Sequence, residues 1–203
     1  MFVGTKSAII NVNGKTHILG HTYLGTAKAE IKALHGANTA INGSNEVQDY
    51  YEESSKPTVT LTVNEMPQKL LDEMMGNTTD TDGWSVEGNG IKPNVGLAVV
   101  SPRYSVNKDH VWVFPTTKVT YQNVTLSTNT DSKKQMQTVA LTFNVASSSA
   151  LDGKLYMEKD VETDQAMTEL TKSKKLNWTE GADDGDFTGA QPEQPVPTSG
   201  ATV

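Results

Sequence analysis

The chain has 203 residues, a net charge of −7, 35% apolar residues and no cysteine. That length suits one domain, or one domain plus a tail, but the apolar fraction is low for a compact domain, so disordered segments or surface buried only on assembly are expected. Disulfides and thiolate metal sites are excluded, and no run approaches the ~18 apolar residues of a membrane-spanning helix.

The first residues, MFVGTKSAIINVNGK, lack the pattern of a signal peptide, which points to synthesis in a cytoplasm. Asn13-Gly14 stands between SAIINV and KTHIL and marks a hairpin, since both turn residues must accept positive φ. In GTAKAEIKALHG (25–36), Ala27, Ala29, Ile31 and Ala33 alternate, while Ile31, Leu34 and His35 also fit a helix. The bracketing Gly25 and Gly36 favour a strand. Residues 36–56 hold a second Asn-Gly pair, Asn42-Gly43, and the acidic-aromatic run EVQDYYEE, which reads as an exposed hairpin or long loop.

Val59, Leu61 and Val63 then alternate with Thr58, Thr60 and Thr62 in a strand over 57–63. A helix over about 67–75 follows, opened by Pro67 at its first position and closed by Gly76. So short a helix is unstable alone, and its Leu70, Leu71 and Met74 must pack on the adjacent sheet. Residues 77–93 form a polar, glycine-rich loop that carries Trp84. NVGLAVVS (94–101) and HVWVF (110–114) read as apolar strands, and KVTYQNVTLST (118–128) and QTVALTFNVA (137–146) as two more. The last puts Val139, Leu141, Phe143 and Val145 on one face and Thr138, Ala140, Thr142 and Asn144 on the other. The strand before it changes phase between Tyr121 and Val124, which predicts a bulge near Gln122-Asn123. KLYMEK is a candidate last strand, and 162–175 a short helix with Met167 and Leu170 inward.

Five acids (Glu180, Asp183, Asp184, Asp186, Glu193) and no Lys or Arg fall in 178–203, which leaves −2 for residues 1–177. The chain thus divides into a domain over 1–177 and an acidic, Gly/Pro-rich tail over 178–203 that is expected to be disordered. Lys and Arg are scattered, so a basic nucleic-acid surface has no support.

Reactive constellations are missing. His17 and His21 have i, i+4 spacing around a strand end, where that spacing does not converge on a metal; His35 and His110 stand apart. The carboxylate pairs Glu52-Glu53, Asp72-Glu73 and Asp80/Asp82 read as solvated. DTDG (80–83) lacks the remaining ligands of an EF-hand loop, and neither G-x-S-x-G nor H-E-x-x-H occurs. The reading is therefore no enzyme, no catalytic residue, no cofactor and no metal. An exposed Trp84 leaves a carbohydrate-binding or adhesive β-sandwich as the alternative on composition.

The order of these features resembles a known family. A hairpin, then NEVQDYYEE, then the strand-helix unit PTVTLTVNEMPQKLLDEMMG is similar to the major tail proteins of phages with long non-contractile tails. More narrowly it resembles the tail tube proteins of phages of Gram-positive bacteria, of the phi13 or TP901-1 type. Leu70, Leu71 and Gly76 match an LL-x-x-x-x-G end of that unit. Lys92, Pro93, Val95, Gly96 and Leu97 match a KP-x-VGL element, and Val113, Phe114, Thr117 and Lys118 a VF-x-x-TK start. QTVALTFNVA is similar to T-x-x-LTF-x-A. The likeness covers roughly 1–160.

The resemblance implies a mainly β fold with a minor α part: two packed antiparallel β-sheets, as a sandwich or barrel, with one short flanking α-helix. It implies a structural virion protein, assembled in the host cytoplasm, whose hexameric rings stack into a tail tube that conducts DNA without binding it specifically. Its partners would be further copies of itself and the tape measure, terminator and distal tail proteins, and no membrane. A secretion-system tube protein of the Hcp kind would share the fold. Only 43 residues follow residue 160, too few for the immunoglobulin-like domain, of about 100 residues, that many relatives append. Within this frame Asn42, Gly43, Asp49, Tyr50, Tyr51, Glu52 and Trp84 are candidate contacts between subunits or rings, with packing of Tyr50 or Tyr51 in the subunit's own core as the alternative. Thr58, Thr60, Thr62, Thr138, Thr142 and Asn144 are candidates to face the lumen, on strand faces that carry no lysine.

Overall fold

The computed structural model describes residues 1–20, 25–88, 90–121 and 138–179. In chain order its elements are β1 (Ser7–Val12), β2 (Lys15–Leu19), β3 (Thr26–Lys32), β4 (Asn38–Gly43), β5 (Glu46–Glu52) and β6 (Thr58–Val63), followed by helix α1 (Gln68–Met75). Then come β7 (Thr78–Thr79), β8 (Ser85–Val86), β9 (Val95–Pro102), β10 (Lys108–Thr120), β11 (Val139–Val145), β12 (Met157–Glu162) and helix α2 (Ala166–Lys172). The expected bulge near Gln122-Asn123 and the tail from residue 180 lie outside the described residues.

Asn13 and Gly14 take positive φ (51° and 76°) and close the β1–β2 hairpin as expected. The second Asn-Gly pair does not make a turn. Asn42 and Gly43 end β4, and the turn is Ser44-Asn45, with φ of 53° and 66°. Asparagine tolerates this left-handed region, and serine is carried into it by the two-residue loop.

Eight strands form one antiparallel sheet in the order β2-β1-β9-β10-β11-β6-β3, with β12 paired to β10 off this path. β10 joins its halves. Lys108–Val113 pair with β12, and Thr117–Thr120 pair with β11. The register shifts between Phe114 and Thr117, around Pro115, a residue that sheets tolerate at bulges. The expected strands HVWVF and KVT are therefore one strand. The two expected layers are halves of one continuous sheet, and its end strands β2 and β3 do not pair, so no closed barrel forms.

Side chains of the two halves meet in a single core. Ile10, Val12, Leu97 and Val99 from β1 and β9 share it with Val59, Leu61, Leu141 and Phe143 from β6 and β11. α1 adds Leu70, Leu71 and Met74, all buried. Pro67 stands at the N-cap rather than the first helical position, and its carbonyl accepts the Leu71 N–H at 3.0 Å. Gly76 ends the helix in the left-handed conformation (φ 74°), where a Cβ would also lie 2.8 Å from the Ile91 carbonyl oxygen. The glycine of the LL-x-x-x-x-G element thus has two physical reasons.

A second core covers the opposite face of β1, β9 and β10. Ile9, Ala98, Val100, Val111 and Val113 lie under Val161 of β12, Leu170 of α2, Leu176 and Trp178. The Trp178 indole lies on Gly96, where an added Cβ would sit 2.5 Å from Cζ2. Trp178, assigned to the tail on composition, is thus buried in the domain body. With both faces covered, β9 is buried along almost its whole length, which is why it reads as a continuous apolar run.

A buried charge fastens this second layer. The Asp109 carboxylate, 2% exposed, accepts from Lys6 Nζ at 2.6 Å and from the Asp164 N–H at 3.1 Å, and Asp164 Oδ1 lies 2.7 Å from the same ammonium. Burial alone would lower the Lys6 pKa, but hydrogen bonds to Asp109 and Asp164 outweigh it and raise it above the usual 10.5. A raised pKa stabilises the fold fully below the unfolded value, and that contribution is lost as pH climbs through the higher folded value. Lys6→Met, which strands Asp109 without its countercharge, is expected to cost about 3 kcal/mol, measured by thermal melting at neutral pH.

Candidate assembly surfaces

β4 and β5 form a two-stranded arm that leaves the body between the end of β3 and the start of β6, where Lys32 pairs with Thr58. Its base is tied by Glu53 N–H to the Ala37 carbonyl (2.9 Å) and by Gly36 N–H to Glu52 Oε1 (3.2 Å). Beyond the base every residue is exposed except the half-buried Gly43. The register puts Ile41 and Tyr51 on one face, with Thr39 and Asp49 opposite them, and Tyr50 on the other. Tyr50 and Tyr51 are 63% and 59% exposed, so neither packs in the core. Lone two-stranded hairpins are marginal in water, and this one exposes apolar side chains on both faces. Asn42, Gly43, Asp49 and Glu52 share the arm.

A second, smaller hairpin (β7–β8) presents Trp84, 73% exposed, at its turn. Asp80 Oδ1 accepts the Trp84 N–H (2.7 Å) and the Asp82 N–H (3.0 Å), which sets the turn. Asp72 anchors the hairpin to α1. It is buried, and its Oδ1 accepts from Gln68 Nε2 (3.0 Å), Asn77 Nδ2 (3.1 Å) and Ser85 Oγ (2.6 Å). The expectation of a solvated Asp72-Glu73 pair is thus corrected. The helix turns Asp72 toward the β7–β8 segment, and Glu73, half-buried, lies 3.9 Å from His17.

The third surface is the outer face of the β3–β6–β11 half, which no other described residue layer covers. Thr58, Thr60 and Thr62 lie opposite Asn144, Thr142 and Ala140, as expected for strands of this alternation; Thr138 is exposed just before β11. The neighbouring strands change its charge. Lys28, Glu30 and Lys32 stand beside Thr62, Thr60 and Thr58, and Lys118 beside Asn144. The expected lysine-free face exists on β6 and β11 but not across the sheet. Glu30 lies between its two lysines, 3.3 Å from Lys28 and 3.2 Å from Lys32, and hydrogen bonds from Lys32 and then Lys28 hold its carboxyl below the usual range. Lys118 donates to the Lys92 carbonyl.

The histidines have structural settings. His17 is buried on β2, His35 is exposed near Glu52, and His110 lies 2.6 Å from Asp160 with Phe2 and Trp112 against its ring. His21 lies outside the described residues. Among the described residues no group of His, Asp or Glu is placed to hold a metal ion.

The bent antiparallel sheet with two protruding hairpins defines a mainly β class of protein. Within that class, the family model for phage tail tube proteins matches residues 13–178, and the chain belongs to that family. No curated protein matches the chain. The family is one of structural tail proteins rather than enzymes, which places the chain in a virion tail.

Sequence reasoning passed over three features. The charges of β3 were visible as K-A-E-I-K, at alternate positions, but their place beside the threonines needed the register. Asp72 gave no signal, because its burial comes from the loop that returns over it. A groove between β12 and α2, lined by Val111, Met157, Val161 and Leu170, joins segments that carry no shared motif.

Proposed function

We propose that the chain assembles as hexameric rings that stack into the tail tube, and that DNA passes along the lumen during ejection. The observation that carries this reading is the β4–β5 arm, an ordered ribbon with exposed aromatic and aliphatic side chains on both faces and little contact with its own body. Such a ribbon needs a second copy to cover it, and tube-forming family membership supplies one. In this reading the arm reaches the adjacent ring, and Trp84 on its pinned hairpin makes a shorter contact between subunits.

The bare face of β3–β6–β11 lines the lumen. Of the two outward sheet faces, the other is dry under α2 and Trp178, and a channel wall must be wet. Glu30 offsets one of the three lysines on this face, which limits the phosphate attraction that six repeated copies would build up. Tape measure, terminator and distal tail proteins cap and fill the tube, and assembly takes place in the host cytoplasm. Negative-stain microscopy of concentrated purified protein is expected to show tubes. Monomers with affinity for glycans would contradict this and favour the adhesive module.

A further inference from the structure

We infer that Asp72 and Asp80 are positioning residues for assembly, which together hold Trp84 as a pre-set anchor for a second copy of the chain. This rests on the tube reading above and deepens its Trp84 contact. The span 77–86 gives no side chain to either core. Its large apolar residues, Trp84 and Val86, are 73% and 47% exposed, and its two strands have only two residues each. A stretch with so few buried contacts belongs to the mobile end of a fold unless polar bonds hold it.

Here such bonds act at the base and at the tip. At the base, Asp72 Oδ1 accepts from Asn77 Nδ2 on one side of the hairpin and from Ser85 Oγ on the other, and the Asp72 carbonyl accepts the Asn77 N–H at 2.9 Å. The carboxylate is itself buried and held by Gln68 of α1. Beyond β8 the chain returns against the end of the helix, where a Cβ on Gly88 would lie 1.9 Å from the Gly76 carbonyl oxygen, so this approach requires glycine. At the tip, Asp80 fixes the Trp84 backbone twice. Its carboxylate accepts the Trp84 N–H at 2.7 Å, and its own N–H donates to the Trp84 carbonyl at 2.9 Å. These bonds order a segment that adds nothing to either core, so their effect lies in what the segment presents. An anchor held in its bound geometry before contact avoids the ordering cost at the moment of binding, which raises affinity without any new contact. A large aromatic side chain is the kind of anchor that gains most from this.

The test loosens the hairpin without touching either core. Asp80→Ala, and separately Asn77→Ala with Ser85→Ala, are expected to speed hydrogen exchange at the amides of 77–86, while β9 and β10 stay protected and the melting temperature holds. In both variants the protein concentration needed to form tubes is expected to rise by ~10-fold or more. Asp80→Asn keeps an acceptor oxygen for the Trp84 N–H and should assemble near the original concentration. Trp84→Ala is expected to raise the threshold with the hairpin amides still protected. Adding Asp80→Ala to it should raise the threshold little further, because the hairpin then has no anchor to hold. Faster exchange with an unchanged threshold, unchanged exchange in both loosened variants, or a fall in melting temperature that accounts for the lost assembly would overturn the proposal. If Trp84→Ala assembles like the original chain while a chain without the β4–β5 arm does not, the anchor falls and the tube reading stands. If the unaltered chain forms no tubes, both fall.

Discussion

A chain in which Thr39–Tyr51 is replaced by Asn-Gly is expected to fold normally and to form no tubes. The replacement keeps Asn38 opposite Glu52 and the bond from Glu53 N–H to the Ala37 carbonyl, so a two-residue turn closes the base. Nothing removed packs on either core, and the melting temperature should change by little, as for surface changes worth about 0.5 kcal/mol. Assembly should fail because the removed segment holds Ile41, Val47, Tyr50 and Tyr51, the exposed apolar residues of the arm. Aromatic anchors of this kind each contribute about 2 kcal/mol or more to an interface, and a repeating assembly loses them at every copy. Thermal melting, size-exclusion chromatography and electron microscopy on the same preparation read both halves of the prediction. Normal tubes from this variant would refute the role of the arm. An unfolded variant would contradict its independence from the body.

Trp178→Ala is expected to be the most damaging single truncation, by about 3–5 kcal/mol. The indole is buried, covers the face of β9 at Gly96, and stands beside Leu176 and the α2 layer. For a domain of this size each 1 kcal/mol moves the melting temperature by about 2–4 °C, so a fall near 10 °C should be seen. Gly96→Ala should also destabilise, because its Cβ would meet the indole at 2.5 Å. The pair provides the sharper check. Once Trp178 is truncated, the Gly96→Ala methyl has room, so the double variant should lose less than the two single losses combined. Additive losses would show that the two residues do not press on each other. This contact also accounts for the glycine in the VGL element of β9: the position needs space above it, not a flexible backbone.

Much of the fold was legible because it is written in short-range patterns. The threonine-valine alternation of β6, the alternation of β11, the Asn13-Gly14 turn and the Leu70-Leu71-Met74 stripe closed by Gly76 each specify their own element. What failed needed distant partners. Asn42-Gly43 looks like a turn, but Ser44-Asn45 took the positive φ values because the arm register placed the loop there. Pro115 looks like a strand break, yet β10 runs through it with a bulge because the strand changes partner from β12 to β11 at that point. The candidate surfaces divide in the same way. Exposure of Trp84 was readable from its polar loop, whereas for Tyr50 and Tyr51 the sequence left packing in the subunit's own core open, and only the structure exposes both. The lysines beside the threonine face, the burial of Asp72 and the β12–α2 groove depend on which segments the topology brings together.

On the reading proposed above, the outer β3–β6–β11 face lines a channel made of many copies. A cryo-electron microscopy reconstruction of the assembled tube tests it most directly. The expected map has six copies per ring, with Thr58, Thr60, Thr62, Thr142 and Asn144 facing the lumen, Lys28, Glu30 and Lys32 beside them, and the α2–Trp178 layer facing outward. A map with the threonine face on the outer surface and α2 toward the channel would contradict it.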